Sequence, residues 1–149
     1  MKKSDLSAVS KLAGQLVRQH HGFDERRFFV PDDPEEGYRW WFEKQLAAKG
    51  TVLIVALVDE EIAGYLYGSV ESRDWNRLLD RHGAIHDIFV DGRFRRRGVA
   101  TALMKAGIAA LREEGGERIV LSSAWPNREA QALFEALGFR KTMVEMTLD

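Results

Sequence analysis

The sequence holds no cysteine, and that one absence removes disulfides, thiolate metal sites, thiol nucleophiles and covalent thiol relays. It also fits a reducing compartment. An excess of either charge is missing too: 22 Lys and Arg face 23 Asp and Glu, for a formal net charge of −1. A chain so balanced is a poor general binder of nucleic acid, whatever its local clusters. No stretch approaches the roughly 18 consecutive apolar residues of a membrane span, and the polar start has no signal-peptide core. The expectation is a cytoplasmic protein with no nucleic-acid or membrane partner. Repeats, linkers and low-complexity tracts are also absent, so residues 1–149 read as one domain. What is present, 45% hydrophobic and 30% charged residues, suffices for an ordinary globular core without crosslinks or metal.

Against this even background, residues 91–101 stand out, because Arg93, Arg95, Arg96 and Arg97 lead into Gly98, Val99, Ala100 and Thr101. An apolar strand-like run (85–90) precedes them and a helix-like run (102–112) follows. A basic, glycine-containing turn from strand to helix suits phosphate. The first amides of a helix lack intrahelical partners, and the helix dipole adds partial positive charge there. Gly98 lets backbone approach a bulky anion, and Ala100 is too small to shield the amides. A solvated basic loop before a helix remains the plain alternative, since short glycine motifs also occur by chance.

The remaining pattern supplies the frame. Leu6, Val9, Leu12, Ala13, Leu16 and Val17 recur at helical spacing, with Ser4 or Asp5 as cap and Gly22 as stop. Asp33, Pro34, Glu35 and Glu36 open a second helix carrying Tyr38, Trp41, Phe42 and Leu46. At this spacing Tyr38, Trp40 and Trp41 read as core. Residues 51–58 and 62–70 are β-rich runs joined by Asp59, Glu60 and Glu61, a hairpin. A polar loop (72–83), with a helical turn at 76–79, leads to a strand at 84–90. A helix over 99–112 stops at Gly115 and Gly116, and a short buried strand covers 119–122. Asn127 caps a fourth helix with Ala130, Leu133, Phe134 and Leu137 on its apolar side, and 139–148 close the chain as one or two strands. The order is that of an α/β (α+β) single domain around a central twisted mixed sheet, with about four flanking helices.

Together these segments resemble the GCN5-related N-acetyltransferase (GNAT) superfamily. Arg95 to Ala100 fit its Gln/Arg-x-x-Gly-x-Gly/Ala signature, and the strand Ile85-His86-Asp87-Ile88-Phe89-Val90 looks like the family's fourth. Asn127-Arg128-Glu129-Ala130, with Phe134 and Leu137-Gly138-Phe139, looks like its Asn-x-x-Ala helix closed by Leu-Gly-Phe. The family usually opens with a strand; here only Met1 to Lys3 precede the first helix. The resemblance implies acetyl-CoA as donor, held where the fourth and fifth strands splay apart. Backbone at Phe89 and Val90 would pair with pantetheine as an added strand. Amides around Arg97, Gly98, Val99, Ala100 and Thr101 would take the pyrophosphate, Arg95 and Arg96 would add charge, and Asn127 would hold pantetheine or serve only as a cap.

The implied reaction is direct attack of a primary amine, on a small molecule or peptide, upon the thioester. Many members place a tyrosine acid where this chain has Phe134, near the CoA sulfur, so the proton for the thiolate is dispensable or comes from Ser122, Ser123 or water. His86 and Asp87 are the catalytic candidates. Imidazole accepts a proton near neutrality, whereas a strand histidine satisfied by a backbone carbonyl is the plain alternative. Alternation sends His86 and Asp87 to opposite faces unless a bulge redirects one. Tyr65, Tyr67 and Glu71 share one strand parity and, with Tyr38, are acceptor-pocket candidates, with Trp75 as a lid. His20 and His21 read as a solvated helix end, and no metal site is expected. A homodimer is compatible with families of this kind. The rival function is an acyl-CoA-binding or sensing module with little turnover, suggested by Phe134.

Overall fold

The computed structural model describes residues 1–148. Its helices are α1 (Leu6–Phe23), α2 (Pro34–Gln45), α3 (Val99–Glu113) and α4 (Arg128–Ala136). Its strands are β1 (Thr51–Val58), β2 (Glu61–Glu71), β3 (His82–Val90) and β4 (Ile119–Leu121). The sheet runs β1-β2-β3-β4, antiparallel through β3 and parallel between β3 and β4. This is the mixed α/β architecture expected from the sequence.

Local chemistry explains the element ends. Asp33 accepts from the Glu36 amide at 2.9 Å and Pro34 occupies the first turn of α2, as a capped start requires. The β1–β2 hairpin turns on Asp59 (φ 50°) and Glu60 (φ 66°), both left-handed, which suits the right-handed twist of the strands. Glutamate gains nothing at positive φ. Glu60→Gly should therefore stabilise the fold by about 0.5–1 kcal/mol, measured as a higher urea midpoint at unchanged slope.

The sheet has two covered faces. Leu66, Ile85, Val90, Leu103, Met104, Leu111 and Phe134 belong to one buried cluster, which joins the sheet to α3 and α4. Tyr65, Tyr67, Phe89, Phe42 and the apolar stripe of α1 form the other. Close approach of α3 depends on Gly107, where an added Cβ would lie 2.7 Å from Leu66. The strand glycines of β2 and β3 face the same helix.

Two irregularities in β3 build the site. Tyr67 pairs with Asp87 but Gly68 pairs with Ile85, so His86 is the extra residue of a bulge. Ile85 and Ile88 pack toward α3. His86 lies 4.9 Å from the Tyr67 ring and Asp87 accepts from the Tyr65 hydroxyl, so both point to the α1–α2 face. The bulge thus overrides the opposite facing that simple alternation implies. Second, β3 pairs with β4 only through Gly83, Ala84 and Ile85. Beyond that point the two strands part, and His86, Ile88, Phe89 and Val90 line a wedge.

Three expectations need correction. Residues 139–148 form no strand, and Met143, Val144, Met146 and Leu148 are exposed. Their apolar spacing resembles a strand, but a strand needs an edge to pair with, and this segment is tied instead by Arg27 to Glu145. Residues 76–79 are a turn, not a helical one: Asp74 and Leu79 exchange backbone bonds of 2.9 and 3.0 Å across it. Trp40 and Trp41 are largely exposed rather than core, Trp40 lying 3.7 Å from the Lys44 ammonium. At the start of the chain, the Met1 ammonium donates to the Leu53 carbonyl at the β1 edge. Met1 thus lies at that edge, and residues 1–2 form no strand.

Candidate active site

The glycine turn has the geometry its sequence suggests. Gly98 sits at φ 79° as the residue before α3, and no side chain caps the helix. By contrast Asp33 caps α2, and Asn127 caps α4 through the Ala130 amide at 3.2 Å. A Cβ built on Gly98 would meet nothing within 4 Å. Open space thus stands over uncapped amides, where an anion is stabilised by N–H donors and the helix dipole. The arginines divide the work. Arg93 is bound to Asp91 and Glu61, and Arg95 donates to the Val90 carbonyl and to Gln19. Arg96 and Arg97 pair with no carboxylate among the described residues; Arg96 lines the adjoining groove, whereas Arg97 lies over the Phe94 ring and does not.

A groove of about 300 Å³ runs from this turn along the wedge. Phe89, Val90, Arg95, Arg96, Gly98, Val99, Ala100 and Thr101 line it from one side. Ser122, Ser123, Asn127 and Phe134 line the other. Asn127 spends its carbonyl oxygen on the cap, leaving its NH2 as the remaining donor. The residues present fit a nucleotide-linked thioester: an uncapped helix start at one end, the part of β3 that does not pair with β4 in the middle, and an apolar wall.

A second cavity of about 780 Å³ adjoins the groove. Glu71, Trp75 and His82 line it, together with Arg73 and Arg77. His86 and Ser122 line both cavities. His86 takes a hydrogen bond with Ser69 Oγ at 2.7 Å, and Glu71 Oε1 lies 3.4 Å from the same ring nitrogen. The partner of His86 is therefore a side-chain hydroxyl, not the backbone carbonyl of the plain alternative.

The tyrosines fall elsewhere than expected. Tyr65 is fully buried and donates to Asp87 at 3.2 Å. Tyr38 packs on Phe42, and Tyr67 packs on Phe42 and His86. None of the three lines either cavity. Glu71 and Trp75 do, with Trp75 74% exposed beside Arg73. Burial pushes the Tyr38 and Tyr65 hydroxyls upward, and the neighbouring Asp87 carboxylate adds to it.

Burial also raises Asp87 above its ordinary value, against the opposing help of Tyr65 and His86. A carboxyl raised in the folded state holds its proton more tightly there than in the unfolded chain. Stability from this group is therefore highest below the ordinary carboxylate range and falls as pH rises through the raised value. Asp87→Asn should melt at a higher temperature than the parent near pH 8, with the gain shrinking toward about pH 4. An equal or lower melting temperature near pH 8 contradicts this.

Sequence reasoning missed two contributors. Leu16, Gln19 and His20 of α1 line the groove, and His20 is held by the Leu16 carbonyl at 2.9 Å rather than solvated. Their one-face spacing was visible, but not what that face would meet. Ser69 was missed because its chemistry depends on His86, seventeen positions away.

An uncapped glycine turn at the start of α3, a parallel strand pair that parts after three residues, and a groove between them make up the site. The model of the Acetyltransferase (GNAT) family matches residues 16–139, and the chain belongs to that family. It is an acetyl-CoA-dependent acetyltransferase. An N-alpha-acetyltransferase of Saccharolobus solfataricus is 32% identical over 116 residues, covering 74% of this chain and 70% of that protein. N-alpha-acetyltransferase 30 of Xenopus laevis is 35% identical over 85 residues, covering 57% of this chain and 30% of its own length. Among solved structures, the aminoglycoside N-acetyltransferase AAC(6')-Iy in complex with a bisubstrate analogue, CoA-S-monomethyl-acetylneamine, superposes with a TM-score of 0.78 at 25% identity. That likeness covers 100% of this chain and 93% of the other. No helix among the described residues is long and apolar enough to cross a membrane.

Proposed function

We propose that this acetyltransferase modifies a primary amine of a small molecule or a peptide N terminus, with His86 as the base and the larger cavity as the acceptor site. The observation that carries this is the junction: the donor groove and the acceptor cavity meet at His86 and Ser122. An amine entering from the larger cavity reaches the thioester beside an imidazole. Its nitrogen attacks the carbonyl carbon, the C–S bond breaks, the amine proton goes to His86, and CoA leaves as thiolate. Phe134 has no proton to give, and a thiol with an ordinary pKa of about 8.5 leaves tolerably without one. Arg96, Arg97 and the amides from Gly98 to Thr101 hold the pyrophosphate, and Asn127 holds pantetheine. The relatives named as N-alpha-acetyltransferases and the aminoglycoside analogue both support an amine acceptor. The cysteine-free chain suits the cytoplasm.

Phe134 also favours a second reading, a module that binds acetyl-CoA with little turnover. Thiol release from acetyl-CoA separates the two, using peptides with free N termini, aminoglycosides and small diamines as acceptors. Turnover with any of them supports the enzyme. Tight CoA binding with no turnover on every acceptor supports the module.

A further inference from the structure

Building on the acyl-transfer role proposed above, we propose that Ser69 and Glu71 are positioning residues. They fix His86 in the tautomer that carries its proton on Nε2, leaving Nδ1 as the basic nitrogen. They also give the Nε2 proton a way out.

The register of the sheet brings the three together. Tyr67, Ser69 and Glu71 alternate along β2, so their side chains share the α1–α2 face of the sheet. The bulge at His86 swings the imidazole onto that same face, and the Tyr67 ring packs against it at 4.9 Å with a 32° tilt. Ser69 Oγ then lies 2.5 Å from Glu71 Oε1 and 2.7 Å from His86 Nε2.

Proton counting decides the direction of each bond. An ionised carboxylate only accepts, and a serine hydroxyl has one hydrogen and lone pairs to spare. Ser69 therefore donates to Glu71 and accepts from His86, so Nε2 must carry the hydrogen. The lone pair of the ring sits on Nδ1, for which no hydrogen-bond partner exists among the described residues. As in other histidine sites, the hydrogen bond at one nitrogen sets the role of the other.

The route also balances. The amine proton goes to Nδ1, the Nε2 hydrogen moves to Ser69 Oγ, and the serine hydrogen moves to Glu71 Oε1. His86 ends as the neutral Nδ1–H tautomer and Glu71 as a carboxylic acid. The Glu71 side chain is 46% exposed and returns the proton to water. The other charged or titratable groups around the ring are Asp87, its neighbour in the chain, and Arg73, Asp74, Arg77 and His82, which line the cavity. None of these makes a hydrogen bond to the imidazole.

Nitrogen-15 shifts of the His86 ring read the tautomer in the protein alone. The Nε2–H form is expected in the parent and in Ser69→Thr, and loss of that preference in Ser69→Ala. With an active acceptor, Ser69→Ala should lower kcat by about 10- to 100-fold with KM for acetyl-CoA unchanged, and Ser69→Thr should restore most of it. A dominant Nδ1–H form in the parent overturns the proposal. So does a Ser69→Ala variant with parental tautomer and parental kcat. Absence of turnover with every acceptor would instead overturn the acyl-transfer role, and the ring shifts would still decide the placement of Ser69.

Discussion

Gly98→Asp is expected to weaken CoA binding about 100-fold while leaving the fold intact. Gly98 lies at φ 79° with open space over its Cα and uncapped amides beyond it. Aspartate tolerates a left-handed backbone better than most residues, so the melting temperature should move little. Its carboxylate would stand where the pyrophosphate is proposed to bind. A unit charge about 5 Å from a phosphate at an effective dielectric of about 20 costs roughly 3 kcal/mol, which is about 100-fold in Kd. Part of this loss should be recovered at high salt, because partly exposed charges are screened. Calorimetric titration with CoA checks it. Parental affinity in a folded Gly98→Asp protein would remove the turn from the donor site.

His86→Gln should lower kcat by about 10²- to 10⁴-fold, the usual contribution of a positioned base. Glutamine keeps a polar group at the bulge beside Ser69 but cannot take a proton from an ammonium-forming amine. CoA affinity should stay parental, because the anion cradle lies at the other end of the groove from the imidazole. That split between chemistry and binding separates His86 from a residue that merely supports the wedge. An unchanged kcat in a variant that still binds CoA would assign the proton to another group, with Glu71 next in reach.

Much of this site is written locally. Gly98, Ala100 and the arginines before them declare a basic strand-to-helix turn, because the positive φ and the helix start are properties of adjacent residues. Asn127 declares a helix cap for the same reason, and Asp33 with Pro34 another. The face that carries His86 was not local. Alternation within β3 separates His86 from Asp87, and only its register against β2 creates the bulge that reunites them. The Ser69, Glu71 and His86 cluster likewise spans two strands, and a serine in a strand carries no signal by itself. Tyr65 has the parity of Tyr67 and Glu71, yet the packing of Phe42 and α1 encloses it. Residues 139–148 carry a strand-like pattern without a partner edge, so pattern and structure part there.

The location of the donor is the claim on which the rest depends, and amide shift mapping with CoA tests it most directly. Titration of nitrogen-15 labelled protein should move the amides of residues 86–90, 96–101, 122–123 and 127 together, with one binding constant. The amides of α2 and β1 should stay in place. Shifts centred on β1 or α2, or the absence of any shift at saturating CoA, would contradict a donor site in the wedge between β3 and β4.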